Sequence, residues 1–345
     1  MALTLDEARA LHAEVPVIDL HADTAKLMDK LGYDLAARHE RPLPRFANYL
    51  GHVDLPRLRE GGVAAQFFAF WTWPSRIPGA EKSQTQSVLH QLDALDKAIA
   101  AHPDEIAWVR TGREIRAAKA AGKVAALGGI EGGHCLEGKV EHVEMFARRG
   151  VRYLGPLHLW PNALGGTSRK RKGKPDEGLT RLGRDVISEC ERCGVIVDLA
   201  HINRRGFFEA LEMTSEPVMV THTGVAGVHA SWRNLDDEQI RAVAGRGGAI
   251  GIIFAKQFLG GATIDAVVDH ILHVIDVAGE DAPALGSDFD GFVVPPEGLE
   301  DIAAMPNLTV ALSRRGVAPR VLEKILGGNV CRVLDTVPAW GKLAA

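Results

Sequence analysis

The chain has only four cysteines in 345 residues: Cys135, Cys190, Cys193 and Cys331. So few in so long a chain cannot build a disulfide framework, and a reducing cytoplasm is the expected compartment. No apolar run approaches the ~18 residues needed to span a bilayer. Residues 1–21 lack a basic segment followed by an apolar one, so neither a leader nor an anchor is expected. Excess charge of either sign is missing too, with 40 basic against 44 acidic residues and a net charge of −4. That balance argues against nucleic acid or an anionic membrane as the main partner. Tandem repeats and Pro- or Ser-rich linkers are absent as well. Hydrophobic residues at 46% and charged residues at 24% exclude disorder and support a large core.

What recurs is a short apolar run followed by an amphipathic stretch. The runs are Val15–Leu20, Val63–Phe70, Val124–Ile130, Val151–Leu157, Val195–Ala200, Val218–Thr221, Ala249–Phe254 and Ala284–Ser287. Several are nearly continuous in apolar residues, as strands buried on both faces should be. Helical spacing is clearest over Glu81–Ala101, Val140–Arg149, Leu179–Cys193, Leu235–Arg246 and Ile264–Ala278. Gly150, Gly194 and Gly279 stand where three of these helices should stop, and Thr111–Glu114 can open another. Eight strand–helix alternations predict an α/β chain with a closed (β/α)8 TIM barrel as a single domain over 1–345. Residues 24–62 and 159–178 are expected to be extended loops on its active-site face.

The polar residues cluster where the apolar runs end. His21 and Asp23 close the first run and can share a divalent ion, an imidazole nitrogen and a carboxylate oxygen suiting Zn²⁺. Glu131 stands among glycines in Gly128-Gly129-Ile130-Glu131-Gly132-Gly133, where other groups can approach closely. A carboxylate so placed can bridge two ions if ligands stand on both sides. His201 ends the fifth run and His222 the sixth, supplying them. Asp198, of opposite parity to His201, reads as structural, and Asp19 as a partner that orients His21. His158 and Asp288 end two further runs. The C-terminal ends of barrel strands form the catalytic face of this architecture, so the shared location points to one metal-dependent site.

Together these segments resemble the membrane dipeptidase family, binuclear zinc enzymes on a (β/α)8 barrel. The resemblance runs through Asp19-Leu20-His21-Ala22-Asp23, Ile130-Glu131-Gly132-Gly133-His134, Val151-Arg152-Tyr153-Leu154 and Asp198-Leu199-Ala200-His201. It continues through Thr221-His222-Thr223, Ser231-Trp232-Arg233-Asn234, Gly286-Ser287-Asp288-Phe289-Asp290-Gly291 and Gly328-Asn329-Val330. It implies that His21 and Asp23 bind one zinc, that His201 and His222 bind the other, and that Glu131 bridges them. It further implies that a metal-bridging hydroxide attacks the peptide bond of a dipeptide. His158 would stabilise the oxyanion, Asp288 would shuttle the proton and contact the substrate's amino group, and Arg233 would bind its carboxylate. Dipeptides with a D-residue at the C-terminal position are included among the substrates the resemblance implies, as is a homodimer.

Two positions depart from the family pattern. The sequence His158-Leu159-Trp160-Pro161-Asn162 replaces a more usual His-Ser-x-Asn, and Ala255 stands where a tyrosine is often found. The basic run Arg169–Lys174 reads as a solvated loop, Cys190-x-x-Cys193 as two packed helical cysteines, and His229, His270 and His273 receive no role. Among Phe67, Phe68, Phe70, Trp71 and Trp73, the two tryptophans are the candidates to line a pocket. Competing readings are a related barrel amidohydrolase acting on another amide or a lactone, and a non-catalytic metal-dependent binding protein.

Overall fold

The computed structural model describes residues 2–39, 49–73, 81–169 and 177–341. Its centre is a curled parallel sheet made of β1 (Val17–Ala22), β2 (Val63–Phe70), β3 (Ile106–Trp108), β4 (Val124–Glu131), β5 (Val151–Gly155), β6 (Ile196–Val197), β7 (Met219–Thr223), β8 (Ala249–Ile252) and β9 (Pro283–Leu285). The strands follow the order β6-β5-β4-β2-β1-β9-β8-β7, with β3 paired to β4 off this path. All eight expected strands are therefore present, and β3 is an addition. The two ends of the path meet through a parallel bridge between Asp198 and Met219, where the Leu199 N–H donates to the Met219 carbonyl at 2.8 Å.

Local chemistry explains the boundaries. Ile264–Ala278 is helical as expected, and Glu81–Ala101 begins at Gln84, where the Ser83 hydroxyl accepts from the Gln86 N–H. The helix Arg181–Cys193 is opened by Thr180, whose side chain accepts from the Gly183 N–H, and is closed by Gly194 at φ 63. A left-handed residue at that point suits glycine, which has no Cβ to clash. The segment 24–62 differs from the loop expected there. It carries two helices, Thr24–Leu31 and Leu55–Glu60, whose inner faces are buried. The strand of the fifth apolar run, β6, is also shorter than that run: the Asp198 N–H still donates to the Leu154 carbonyl at 3.0 Å, but beyond it the Asp198 carboxylate accepts from the Ala200 N–H at 3.0 Å and the chain turns.

The apolar residues fall into two clusters. The larger packs the strands against the surrounding helices, with Phe68, Phe70, Leu92, Phe146 and Ile271 among its members. The smaller gathers Ile18, Leu20, Ala65, Phe67, Leu127, Tyr153, Ile196, Met219 and Ala249 from successive strands. Alternating side chains of one strand thus serve both clusters. Tyr153 is the largest polar-tipped member of the smaller one, fully buried, and Gly129 lies next to it in the β4–β5 ladder. A Cβ on Gly129 would stand 2.0 Å from the Tyr153 ring. The glycine is required to admit the ring.

Gly129→Ala should therefore destabilise the fold by about 1–3 kcal/mol, the usual cost of overpacking a core. Combining it with Tyr153→Leu should recover part of the loss. Denaturant unfolding of the two single variants and the double variant measures that coupling, and strictly additive effects would exclude the clash.

Candidate active site

Eight polar residues converge at the C-terminal ends of the strands. His21 lies in β1, and Asp23 follows it as the N-cap of the helix Thr24–Leu31. Glu131 is the last residue of β4, His222 lies within β7, and His158, His201 and Asp288 follow β5, β6 and β9. Arg233 comes from the loop between β7 and the helix Asp237–Gly245. All eight are buried. His201 and Asp288 hold left-handed backbones, with φ 64 and φ 62. Non-glycine residues seldom adopt this conformation, and where they do the surroundings must hold them there.

Glu131 is the hub. Its Oε1 lies 2.8 Å from His201 Nε2, 3.3 Å from His222 Nε2 and 3.8 Å from His21 Nε2. Its Oε2 lies 3.4 Å from His158 Nε2. His201 and His222 bring their Nε2 atoms to 2.9 Å of each other, while His21 Nε2 is 3.6 Å from Asp23 Oδ1 and 3.9 Å from Asp288 Oδ1. The sequence-derived residues therefore meet around Glu131: His21, His201 and His222 all face its Oε1, with the His21 and His222 ring centroids 3.9 Å apart, and Asp23 stands beside His21.

Burial controls the charge states. It lowers the affinity of His21, His158, His201 and His222 for protons, which favours the neutral imidazole at each. Burial also raises the Asp23 and Glu131 carboxyls well above their ordinary values, with Asp290 adding to Asp23 and Asp23 to Glu131. Asp288 is pushed up to about 8, chiefly by burial. His21 Nε2, Asp23 Oδ1 and Glu131 Oε2 are buried and have no hydrogen-bond partner among the described residues. Buried polar atoms left unpaired are costly and call for an explanation. A divalent cation would supply one, because it could pair with all three and offset the burial and mutual repulsion that raise the carboxyls. Imidazole and carboxylate donors of this kind suit Zn²⁺ or a similar ion.

The groups behind the ligands correct one expectation and bear out another. Asp19 does not touch the His21 ring. Its carboxylate accepts from Gln66 Nε2 at 2.8 Å, from the Ser287 N–H at 2.8 Å and from the Ser287 hydroxyl at 2.7 Å, tying β1 to β2 and to the turn after β9. A register shift between Asp19 and Ala22 breaks the alternation on which the expectation rested. The partner of His21 is Tyr153, whose Oη lies 3.0 Å from Nδ1. If Nε2 coordinates an ion, Nδ1 would carry the proton and donate it to that oxygen. Asp198 is structural, as expected: it accepts from the Thr221 N–H at 2.9 Å and from the Thr221 hydroxyl at 2.8 Å. Thr221 Oγ1 in turn lies 3.0 Å from His222 Nδ1, so the Asp198 carboxylate orients the His222 ring through Thr221. Asp290 accepts from the Thr24 hydroxyl and from the Gly51 and His52 N–H groups at 2.6–2.8 Å, which fastens the segment 49–54 beside the site.

A cavity of about 250 Å³ opens onto this cluster, lined by Asp23, Glu131, His158, His201, Arg233 and Asp288. Trp71 and Trp73 line it, as the sequence indicated, and so do Trp160, Gln257, Phe258 and Phe292, which sequence reasoning missed. Ala255 is fully buried and does not line it. Cys190 and Cys193 are buried free thiols, and His270 is held between the Val225 N–H and the Leu259 carbonyl. Of the basic run Arg169–Lys174, residues 170–174 lie outside the described residues. No described helix is long and apolar enough to cross a membrane.

A family model described as membrane dipeptidase, peptidase family M19, matches residues 5–343. The chain is similar to dipeptidase tcpJ of Claviceps purpurea, 33% identical over 299 residues that span 83% of this chain and 69% of that one. Two solved structures superpose closely. An amidohydrolase from Pseudomonas aeruginosa is 28% identical with a TM-score of 0.79, covering 98% of this chain and all of that one (100%). A metallo peptidase from Rhodobacter sphaeroides, liganded with a phosphinate mimic of the dipeptide L-Ala-D-Ala, is 27% identical with a TM-score of 0.82, covering 94% and 99%.

Two outcomes follow for the metal-free and metal-loaded protein. Asp288 keeps its proton in the fold up to about pH 8, so its contribution to stability is complete at low pH and is lost as pH rises towards 8. The buried histidines act in the opposite sense, but only below about pH 6.5, where the unfolded chain takes up their protons. Thermal unfolding of metal-free protein should therefore show Tm falling between about pH 6.5 and 8, with a shallower fall in Asp288→Asn. A Tm that rises across this window would contradict the charge states given above. Separately, Tyr153→Phe should weaken divalent-ion binding about 10- to 100-fold, as loss of a ligand's orienting partner does. Competition with a chromophoric chelator reads that affinity, and an unaltered value would assign Tyr153 to packing alone.

Proposed function

The chain belongs to the membrane dipeptidase family, and we propose that it cleaves free dipeptides as a binuclear zinc enzyme. Membership makes it a metallo-dipeptidase, a hydrolase of peptide bonds. In this reading His21 and Asp23 hold one zinc, His201 and His222 hold the other, and Glu131 bridges the two. The observation that carries it is the set of unpartnered buried atoms on His21, Asp23 and Glu131, with the neutral imidazoles around them. Two such ions would supply an acidified water and polarise the scissile carbonyl.

The remaining residues divide the work. Asp288 accepts the proton of the attacking water and returns it to the leaving amine, a task suited to a carboxyl whose burial holds it near neutrality. Its carboxylate form also receives the substrate's amino group. His158, neutral and aimed at the centre of the cluster, donates from Nε2 to the oxygen on which negative charge develops. A donor so placed is worth about 10²–10³ in kcat. Arg233 is buried against His201 Nε2, at 3.3 Å, and the His222 carbonyl, neither of which is a carboxylate. Among the described residues no carboxylate forms an ion pair with Arg233, although Asp288 and Glu131 act on it from farther off, and the substrate's carboxylate would complete it in a two-pronged pair.

The small cavity suits a dipeptide better than a longer peptide. The ligand of the Rhodobacter relative supports including dipeptides with a C-terminal D-residue. We take the curled sheet, joined end to end by the Asp198–Met219 bridge, as a closed (β/α)8 barrel forming one domain over 1–345. A cytoplasmic homodimer completes the proposal, resting on the cysteine usage and the family resemblance.

Arg233→Ala should lower kcat/KM for unblocked dipeptides at least about 100-fold, because the carboxylate loses its only charged partner and binding to a charged group is worth about 2–5 kcal/mol. Steady-state hydrolysis of Ala-Ala and of its C-terminal amide by the zinc-loaded protein measures this. Undiminished turnover of Ala-Ala by the variant would remove the dipeptide reading in favour of another amide or a lactone.

A further inference from the structure

One side of the cavity is built from rings that the hydrolytic chemistry does not use. Trp71 and Trp73 meet edge to face with centroids 4.7 Å apart, and Trp73 lies 5.9 Å from Trp160 and 6.4 Å from Phe292. Trp71 and Trp160 both stand edge-on to His158, at 5.6 and 6.1 Å. The rings therefore form one continuous wall from the oxyanion donor to Phe292, four residues beyond Asp288. Phe292 is 46% exposed and holds a left-handed backbone, φ 59. A large apolar ring kept at a cavity mouth in a strained conformation contributes little to the core and is better explained by a ligand. Gln257 and Phe258 also line the cavity, and Phe258 stands edge-on to Trp232, the neighbour of Arg233.

We propose that this wall receives the side chain of the substrate's N-terminal residue and selects large apolar, above all aromatic, residues there. The assignment rests on the substrate lying between Arg233 and Asp288, as proposed above. With the amino group at Asp288 and the scissile carbonyl at His158, the N-terminal α-carbon lies between the two ends of the wall. Its side chain then faces Trp71, Trp73 and Phe292. Aromatic rings also attract cations. Here, however, Lys26 already sits over Trp71, its Nζ 5.2 Å from the ring centroid. A second cation would meet that charge, whereas a neutral ring gains stacking and desolvation without opposition. Lys26 does not serve as an anion receptor either, since its ammonium is directed to the Trp71 carbonyl at 3.3 Å and the Ser87 hydroxyl at 3.4 Å.

The test is kcat/KM of the zinc-loaded full chain over the series X-Gly, with X as Gly, Ala, Leu, Phe, Trp, Lys or Glu, against the reversed series Gly-X. Phe-Gly and Trp-Gly should exceed Ala-Gly by about 10- to 100-fold, the range expected for burying one large apolar side chain in a pocket. Lys-Gly and Glu-Gly should not exceed Ala-Gly, and the Gly-X series should be the flatter one. Phe292→Ala and Trp73→Ala should each cut the Phe-Gly to Ala-Gly ratio about fivefold or more, reflecting loss of a ring contact. Circular dichroism establishes that both variants are folded. A flat X-Gly series, a preference for Lys-Gly, or a ratio preserved in both variants would overturn the wall assignment and leave the dipeptidase reading standing. Cleavage of N-acetyl-Phe-Gly as readily as Phe-Gly would instead remove the amino-group anchor at Asp288, and this proposal with it.

Discussion

A carboxylate buried among four imidazoles is the constraint on which the rest of the structure depends. Glu131 sits at the end of β4, with His201 and His222 against one oxygen and His158 facing the other. Such a group is tolerable only if positive charge is delivered to it, and the fold arranges the means. Histidines whose burial favours the neutral form come from three different strand ends, His21, His201 and His222, and Asp23 adds a second carboxylate. The backbone strain at His201 and Asp288 belongs to the same arrangement, because an ordinary extended residue after β6 or β9 would aim its side chain elsewhere.

Much of this was legible in the residues themselves. Apolar runs longer than their polar interruptions marked the eight strands, because strands buried on both faces need no alternation. A histidine or acid at the end of six of the eight runs marked the site, since a polar side chain there lies at the C-terminal edge of the sheet. The residues that orient the ligands were harder to read. Tyr153 looks like one more core aromatic until Gly129 is seen to make room for its ring, a relation between two strands that no local pattern encodes. Asp19 was misassigned because strand alternation was assumed to continue through a register shift. The helices in 24–62 were hidden for another reason: their amphipathic stretches are short, eight and six residues, and their burial comes from packing on the barrel.

The ties between strands also explain how a site assembled from distant segments can be held in place. Asp19 joins the first strand to the turn after the ninth, Asp198 joins the sixth to the seventh, and Asp290 fixes the residues that close over them. These three acids bind no ion in the proposed scheme. Each lies beside a residue that does, and each spends its oxygens on backbone amides and hydroxyls. Charged hydrogen bonds of this kind are stronger than neutral ones and directional, which suits positions where a ligand must be aimed within a fraction of an ångström.

The left-handed backbones at His201, Asp288, Asp290 and Phe292 carry a consequence for how such a chain can change over time. Asparagine and glycine enter that conformation more readily than most side chains, and β-branched residues scarcely enter it. Replacement of a catalytic acid or a ligand at these positions by Asn or Gly would thus cost the fold little while removing the chemistry. The fold could shed its reaction in a single step and persist as a folded pocket with its aromatic wall intact. A lineage of inactive binding proteins would be structurally adjacent to this enzyme, one substitution away.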